Sequence, residues 1–179
     1  MGTAANVRTP ISGAVYVGAT TVTAPTDTST APAVGFSDLG YVSDQGITES
    51  LSQTSKVIKD MYGTTVRRVV TEGEFSVKFT LIERSLGVLE AYYGATATTS
   101  VGEGSIKVDP TATGGQKSFI LDYIDGSEVK RIYIATGEIT ERGDLSSVKG
   151  DAEGYAITIT AYPDTNGDVA TIFTTALAA

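Results

Sequence analysis

Apolar and polar side chains alternate most clearly over residues 64–83, TTVRRVVTEGEFSVKFTLIE. Phe75, Val77, Phe79 and Leu81 share one face, and Ser76, Lys78 and Thr80 the other, which is the period of a half-buried strand. Glu72-Gly73-Glu74 predicts a turn or bulge ahead of it. The same alternation runs through residues 154–164, with Tyr155, Ile157, Ile159 and Ala161 on one face, and Pro163 stops it. Residues 117–124 and 128–135 read as strands joined at Asp125-Gly126, a hairpin turn pair. Residues 117–124 are apolar on both faces, which predicts packing on both sides. Shorter strands are expected at 14–17 and 105–109, one or two polar strands within 137–151, and a last strand or arm over 168–179.

Only residues 85–93, SLGVLEAYY, read as a helix: Leu86, Leu89 and Tyr93 form an apolar stripe, Ser85 caps the start and Gly94 the end. Residues 23–33 and 95–104 lack periodicity and read as loops, the first as part of a flexible N-terminal arm over 1–35. The fold expected is mainly β: one domain over 1–179, a β-sandwich or barrel of eight to ten strands with one short helix and extended loop or arm segments. Its strand edges are hazards unless covered, or else sites of assembly.

Composition narrows the chemistry. The chain has no cysteine, histidine or tryptophan, so disulfides, thiolate metal sites and histidine-based catalysis are excluded, and no cofactor is expected. Net charge is −8, which argues against binding nucleic acid or an anionic membrane through a general positive field. No apolar run is long enough for a membrane span, and the first residues do not read as a secretory signal.

What remains has a plainer reading than catalysis. Glu72 with Glu74, and Glu138 with Glu141, are carboxylate pairs of the kind a glycosidase needs, yet they read as solvated surface charge. DTNGD (164–168) begins like a calcium loop, but its glycine comes fourth and position twelve is Thr175, so it reads as a turn. GEGSIK (102–107) lacks the ending of a phosphate loop. Lys56, Lys59, Arg67 and Arg68 form the one basic cluster.

Residues 36–48, FSDLGYVSDQGIT, are too polar for a core strand and too aromatic for a linker. Together with residues 55–83, VLEAYYG (88–94) and GYAITITAYPDTNG (154–167), in this order and spacing, they resemble the major tail (tail tube) proteins of long-tailed siphophages, especially those of actinobacterial hosts. Two departures are visible: Met61-Tyr62 stands where such proteins often carry tryptophan, and the chain leaves no room for the C-terminal immunoglobulin-like domain of some members.

The resemblance implies a non-enzymatic virion protein, assembled in the host cytoplasm. It implies a β-sandwich with a flanking helix whose copies form hexameric rings stacked into a tube, with DNA passing through unbound. It further implies contacts with tape measure, tail terminator and distal tail proteins and none with a membrane. An extended loop or hairpin over 36–70 would reach neighbouring subunits. Leu39, Tyr41 and Val42 would be apolar contacts buried fully only on assembly, and Asp44, with Asp38, would bound the strand or pair with basic groups such as Arg67 and Arg68. Glu74, Asp122, Glu128, Glu138 and Glu153 are the acidic candidates for the lumen. The alternatives are another virion protein (a tail terminator or head decoration protein) and, further off, a carboxylate glycan hydrolase.

Overall fold

The computed structural model describes residues 7–100 and 103–175. Parts of the expected arms and of the 95–104 loop (residues 1–6, 101–102 and 176–179) lie outside them. In chain order the elements are β1 (Ser12–Gly18), β2 (Ser37–Lys59), β3 (Thr65–Leu81), α1 (Leu86–Tyr93), β4 (Thr98–Ser100), β5 (Glu103–Ser105), β6 (Lys117–Asp125), β7 (Glu128–Arg142), β8 (Tyr155–Ala161) and β9 (Thr171–Thr174).

All of the ladders are antiparallel. Running β6-β1-β2-β3-β8-β7, the sheet closes on itself because β6 also pairs with β7. The result is a six-stranded barrel, which leaves no free edge around its girth. β9 adds to β7 beyond the end of β8, opposite Lys130–Tyr133. The barrel is filled by one side of each strand: Val15, Leu39, Val77, Phe79, Leu121, Ile132, Ile134, Ile157 and Ile159 are all within 2% of complete burial.

The expected strand faces of β3 and β8 are observed, with Phe75, Val77, Phe79, Leu81 and Tyr155, Ile157, Ile159, Ala161 all buried. The β6–β7 turn is one residue later than the expected Asp125-Gly126: Asp125 still pairs with Glu128, and Gly126, at φ 62°, and Ser127 make the loop. Three boundaries differ from expectation. Glu72-Gly73-Glu74 is not a turn: β3 runs through it, and the irregularity is a bulge leaving Thr71 without a register partner between Glu72↔Thr54 and Val70↔Ser55. The strand expected at 105–109 ends at Ser105, in a small hairpin with β4. β7 runs unbroken to Arg142, so no separate strand occupies 143–151.

α1 forms where expected. Ser85 Oγ accepts from the Val88 amide at 3.4 Å, and Gly94, at φ 67°, donates its N–H to the Glu90 carbonyl at 2.9 Å. Its buried face, however, is Val88, Ala91 and Tyr92; Leu86 is 48% exposed. The helix sits at the barrel end where β2 and β8 begin and β3 ends. There Tyr92 packs edge-on against Tyr155 with centroids 5.3 Å apart, and its hydroxyl donates to the Gly143 carbonyl.

Beside it, Glu153 accepts from Arg84, Ser147 and Tyr155. These bonds, the Arg84 bond first, hold its carboxyl at about 2 against an ordinary 4.5. A depressed carboxyl adds stability above its unfolded pKa and loses it as pH falls through the folded one. Melting followed from pH 5 down to pH 2 should therefore show an acid loss that shrinks in Glu153→Gln; an unchanged profile would show that the cluster adds nothing.

The outer face of β6 and β7 is also covered, as the two-sided apolar pattern predicts. Ser118, Ile120, Asp122, Arg131 and Tyr133 alternate with the core positions and are buried. Arg131 is the anchor: Nε and Nη2 donate to the two carboxylate oxygens of Asp122 at 2.7 and 2.8 Å, and Nη1 donates to the carbonyls of Asp27 and Thr30 at 3.0 and 2.7 Å. Residues 27–30, expected to belong to a flexible arm, are thus tied to the barrel wall. Asp27 tightens the turn by accepting from the Ser29 and Thr30 amides, and Thr30 above all holds its carboxyl down at about 2.

Candidate functional site

β2 and β3 are much longer than the barrel. β1 accompanies β2 only to Tyr41, and β8 accompanies β3 only from Phe75 onward. Residues 52–74 therefore leave the barrel, at the end away from α1, as a two-stranded ribbon. At about 3.3 Å per residue, the eight steps from Leu51 to the end of β2 at Lys59 span roughly 26 Å. β2 and β3 form one hairpin over 37–81, with its turn at 60–64.

Nothing covers this ribbon within the described residues. Leu51, Val66 and Val70 are 69%, 67% and 56% exposed. Leu51, Val57 and Val70 lie on the face that continues the barrel interior, as the registers Leu51↔Phe75, Ser55↔Val70 and Val57↔Arg68 show, and Val66, unpaired beside the turn, follows Arg68 on that face by alternation. Arg68 lies on this face and Arg67, opposite Ile58, on the other. Neither arginine has a carboxylate within 4 Å among the described residues. The expected pairing with Asp38 and Asp44 does not occur within the subunit. Asp38 instead accepts from the Gly40 amide at 2.8 Å, and Asp44 sits back on the barrel.

Residues 36–48 turn out to be the start of β2 and its irregularity. Register passes from Val42↔Leu81 to Ile47↔Phe79, so Ser43, Asp44, Gln45 and Gly46 bulge out without partners on β3. Gly40 has φ 78°, a left-handed conformation that favours glycine, and a Cβ there would also displace the Glu83 carboxylate. The kink turns Leu39 into the barrel at 1% exposure, which corrects its expected role: the monomer buries it already. Val42 likewise packs on the core, half-buried, whereas Tyr41 stays 74% exposed.

The acidic candidates separate. Asp122 is withdrawn from the surface by Arg131 and the 27–30 loop and has no open face to offer. Glu128 sits beyond the Gly126-Ser127 turn, 3.7 Å from Arg8 and accepting from Thr175 Oγ1. Glu153 belongs to the helix end. Glu74 and Glu138 do come together, on the outer face of β2-β3-β8-β7. The rows Thr48-Lys78-Thr158-Glu141 and Ser50-Ser76-Thr160-Glu138 cross this face, with Ser52-Glu74 and Thr54-Glu72 continuing it onto the ribbon. Tyr162 donates to Glu138 at 3.2 Å, and burial, then Glu138 and Glu74, raise its pKa. Glu72 and Glu141 were not foreseen here. Glu141 reaches the face because a bulge between Ile139 and Glu141 resets the alternation of β7.

The sheet face thus carries hydroxyls, four carboxylates and one lysine, with no large apolar side chain in these rows. Among the described residues, no group of three or more acidic side chains is arranged to hold a metal, and no helix is long and apolar enough to cross a membrane.

A sequence profile of the family described as "Phage tail tube protein" matches residues 1–179, and the chain belongs to that family, whose members are structural tail components rather than enzymes. Among solved structures, the fold is similar to a chain of the sheath/tube terminator, in its extended state, of the PVC extracellular contractile injection system (10% identity, 97% of this chain and 100% of that one, TM-score 0.50). It is likewise similar to a chain of the extended sheath-tube complex of that system (9% identity, 99% and 100% covered, TM-score 0.50). At these identities the likeness is one of fold. No curated protein matches the chain.

Proposed function

We propose that copies of this chain close into hexameric rings, that the rings stack into the hollow tail tube of a long-tailed phage, and that DNA passes through it without specific binding. The observation that carries this reading is the ribbon, with three largely exposed apolar residues on the face continuous with the core. Such a face in a soluble subunit calls for a partner. A head-to-tail ribbon contact is heterologous, and heterologous contacts generate rings and filaments.

The face of Glu72, Glu74, Glu138 and Glu141 supports a role as the bore lining. Close cations make DNA binding strong, and a hydroxyl-rich acidic wall repels phosphates instead. The siphophage type, and with it the tape measure, terminator and distal tail partners, rests on the resemblance of residues 36–167.

Purified protein should assemble with concentration into rings and tubes, seen by light scattering and negative-stain microscopy. A strict monomer, even beside tail assembly partners, would overturn the reading. The terminator alternative keeps one supporting observation, the similar fold of a chain in a terminator assembly. It predicts a protein that caps preformed tubes and does not polymerise.

A further inference from the structure

We propose that the ribbon tip, Met61 and Tyr62, seats in a cavity on the flank of a second copy, between strand β1 and the β2 bulge. This rests on the assembly reading above and adds the site that receives the ribbon.

The tip is a fixed turn. Asp60 Oδ1 accepts from the Tyr62 and Thr64 amides at 2.9 and 2.8 Å, and the Gly63 amide donates to the Asp60 carbonyl at 3.0 Å, with Gly63 at φ 85°. It presents Met61 and Tyr62 at 101% and 94% exposure, so neither touches its own barrel. Two adjacent large apolar side chains on an ordered turn form a preorganised anchor of the kind that dominates interfaces.

The cavity has matching properties. It measures about 370 Å³ and is lined on its apolar side by Pro10, Ile11, Tyr41, Val42, Ile47 and Tyr123. Ser43 Oγ, on its lining, is buried and has no hydrogen-bond partner among the described residues, whereas Tyr123 Oη faces the Glu49 carboxylate. Buried polar atoms are normally paired, so the Ser43 hydroxyl stands ready for a polar group brought by an occupant, and Tyr62 carries one.

Charge points to the same partner. Residues 55–70 hold four cations and one carboxylate, net +3, leaving −11 for the rest of the chain. Asp44 is exposed on the cavity lining with no cation within 4 Å among the described residues. Lys59 flanks the tip. A basic ribbon and a carboxylate beside the cavity on the same chain are complementary between copies, and such complementarity sets register.

Because the chain has no cysteine, engineered disulfides give a clean test. Tyr62→Cys combined with Gln45→Cys, both exposed, should give a covalent ladder in denaturing gels when tubes assembled well above the raised critical concentration are oxidised. Either single variant should give none, and Tyr62→Cys with Leu86→Cys, on the helix end, should give none. Tyr62→Ala should raise the critical concentration for assembly roughly tenfold or more. Normal tubes without a Gln45 ladder, or a ladder through Leu86 alone, would overturn the docking site while leaving the tube reading intact. Failure of the unmodified protein to assemble would instead remove the reading on which the site rests.

Discussion

Asp122→Ala should lower stability by about 3–5 kcal/mol, the usual effect of removing one partner of a buried ion pair. Arg131 is 4% exposed and would keep its charge with no carboxylate beside it. For a chain of this size, such a loss is a fall in melting temperature of roughly 6–20 °C. The paired change Asp122→Leu with Arg131→Met should recover a part only. Arg131 also holds the Asp27 and Thr30 carbonyls, so the double variant keeps a loosened 27–30 loop, detectable as faster proteolysis there. A fall below about 1 kcal/mol for Asp122→Ala would place the pair in the ordinary range of solvated salt bridges.

Val66→Ser with Val70→Ser should abolish assembly at concentrations where the unmodified protein forms tubes, and should leave the subunit folded. Both residues are more than half exposed, so their loss costs the monomer little. Each valine buried at an interface contributes about 1.5–3 kcal/mol, so losing both raises the critical concentration by roughly 10²–10⁴-fold. Thr54→Ala, on the opposite face beside Glu72, is the control and should assemble normally. Light scattering measures both variants, with melting curves to confirm folding. Unimpaired assembly of the double valine variant would mean that this face stays in solvent.

The contrast between these two regions explains how much of the molecule was legible in the sequence. β8 and the barrel part of β3 each meet one core on one side, so their alternation is plain: Phe75 to Leu81 and Tyr155 to Ala161 were assigned to the right faces. Ser85 and Gly94 act within a few residues of themselves, so the helix ends were legible too. Of the stripe expected for the helix, Leu89 and Tyr93 do pack on the core, partly buried; Leu86 does not, because tertiary contact rather than spacing turns Val88, Ala91 and Tyr92 inward.

Asp122 reads as a polar surface position in the strand pattern. Only the partner nine residues on and a loop about a hundred residues away bury it. Leu39 and Glu141 were hidden by backbone irregularities, a left-handed glycine in one case and a bulge in the other, which reset faces that a strict two-residue period keeps fixed. The outer half of β2, SQTSKVIK, has no legible period because neither of its faces meets a core within the subunit.

The central claim is that the ribbon joins copies of this chain into a tube whose bore is the acidic outer face of β2-β3-β8-β7. Electron cryomicroscopy of the assembled protein tests it most directly. The account predicts stacked hexameric rings with Glu72, Glu74, Glu138 and Glu141 facing the bore and Leu51, Val66 and Val70 buried between copies. Tubes with that acidic face outward, or with those three apolar residues in solvent, would contradict it.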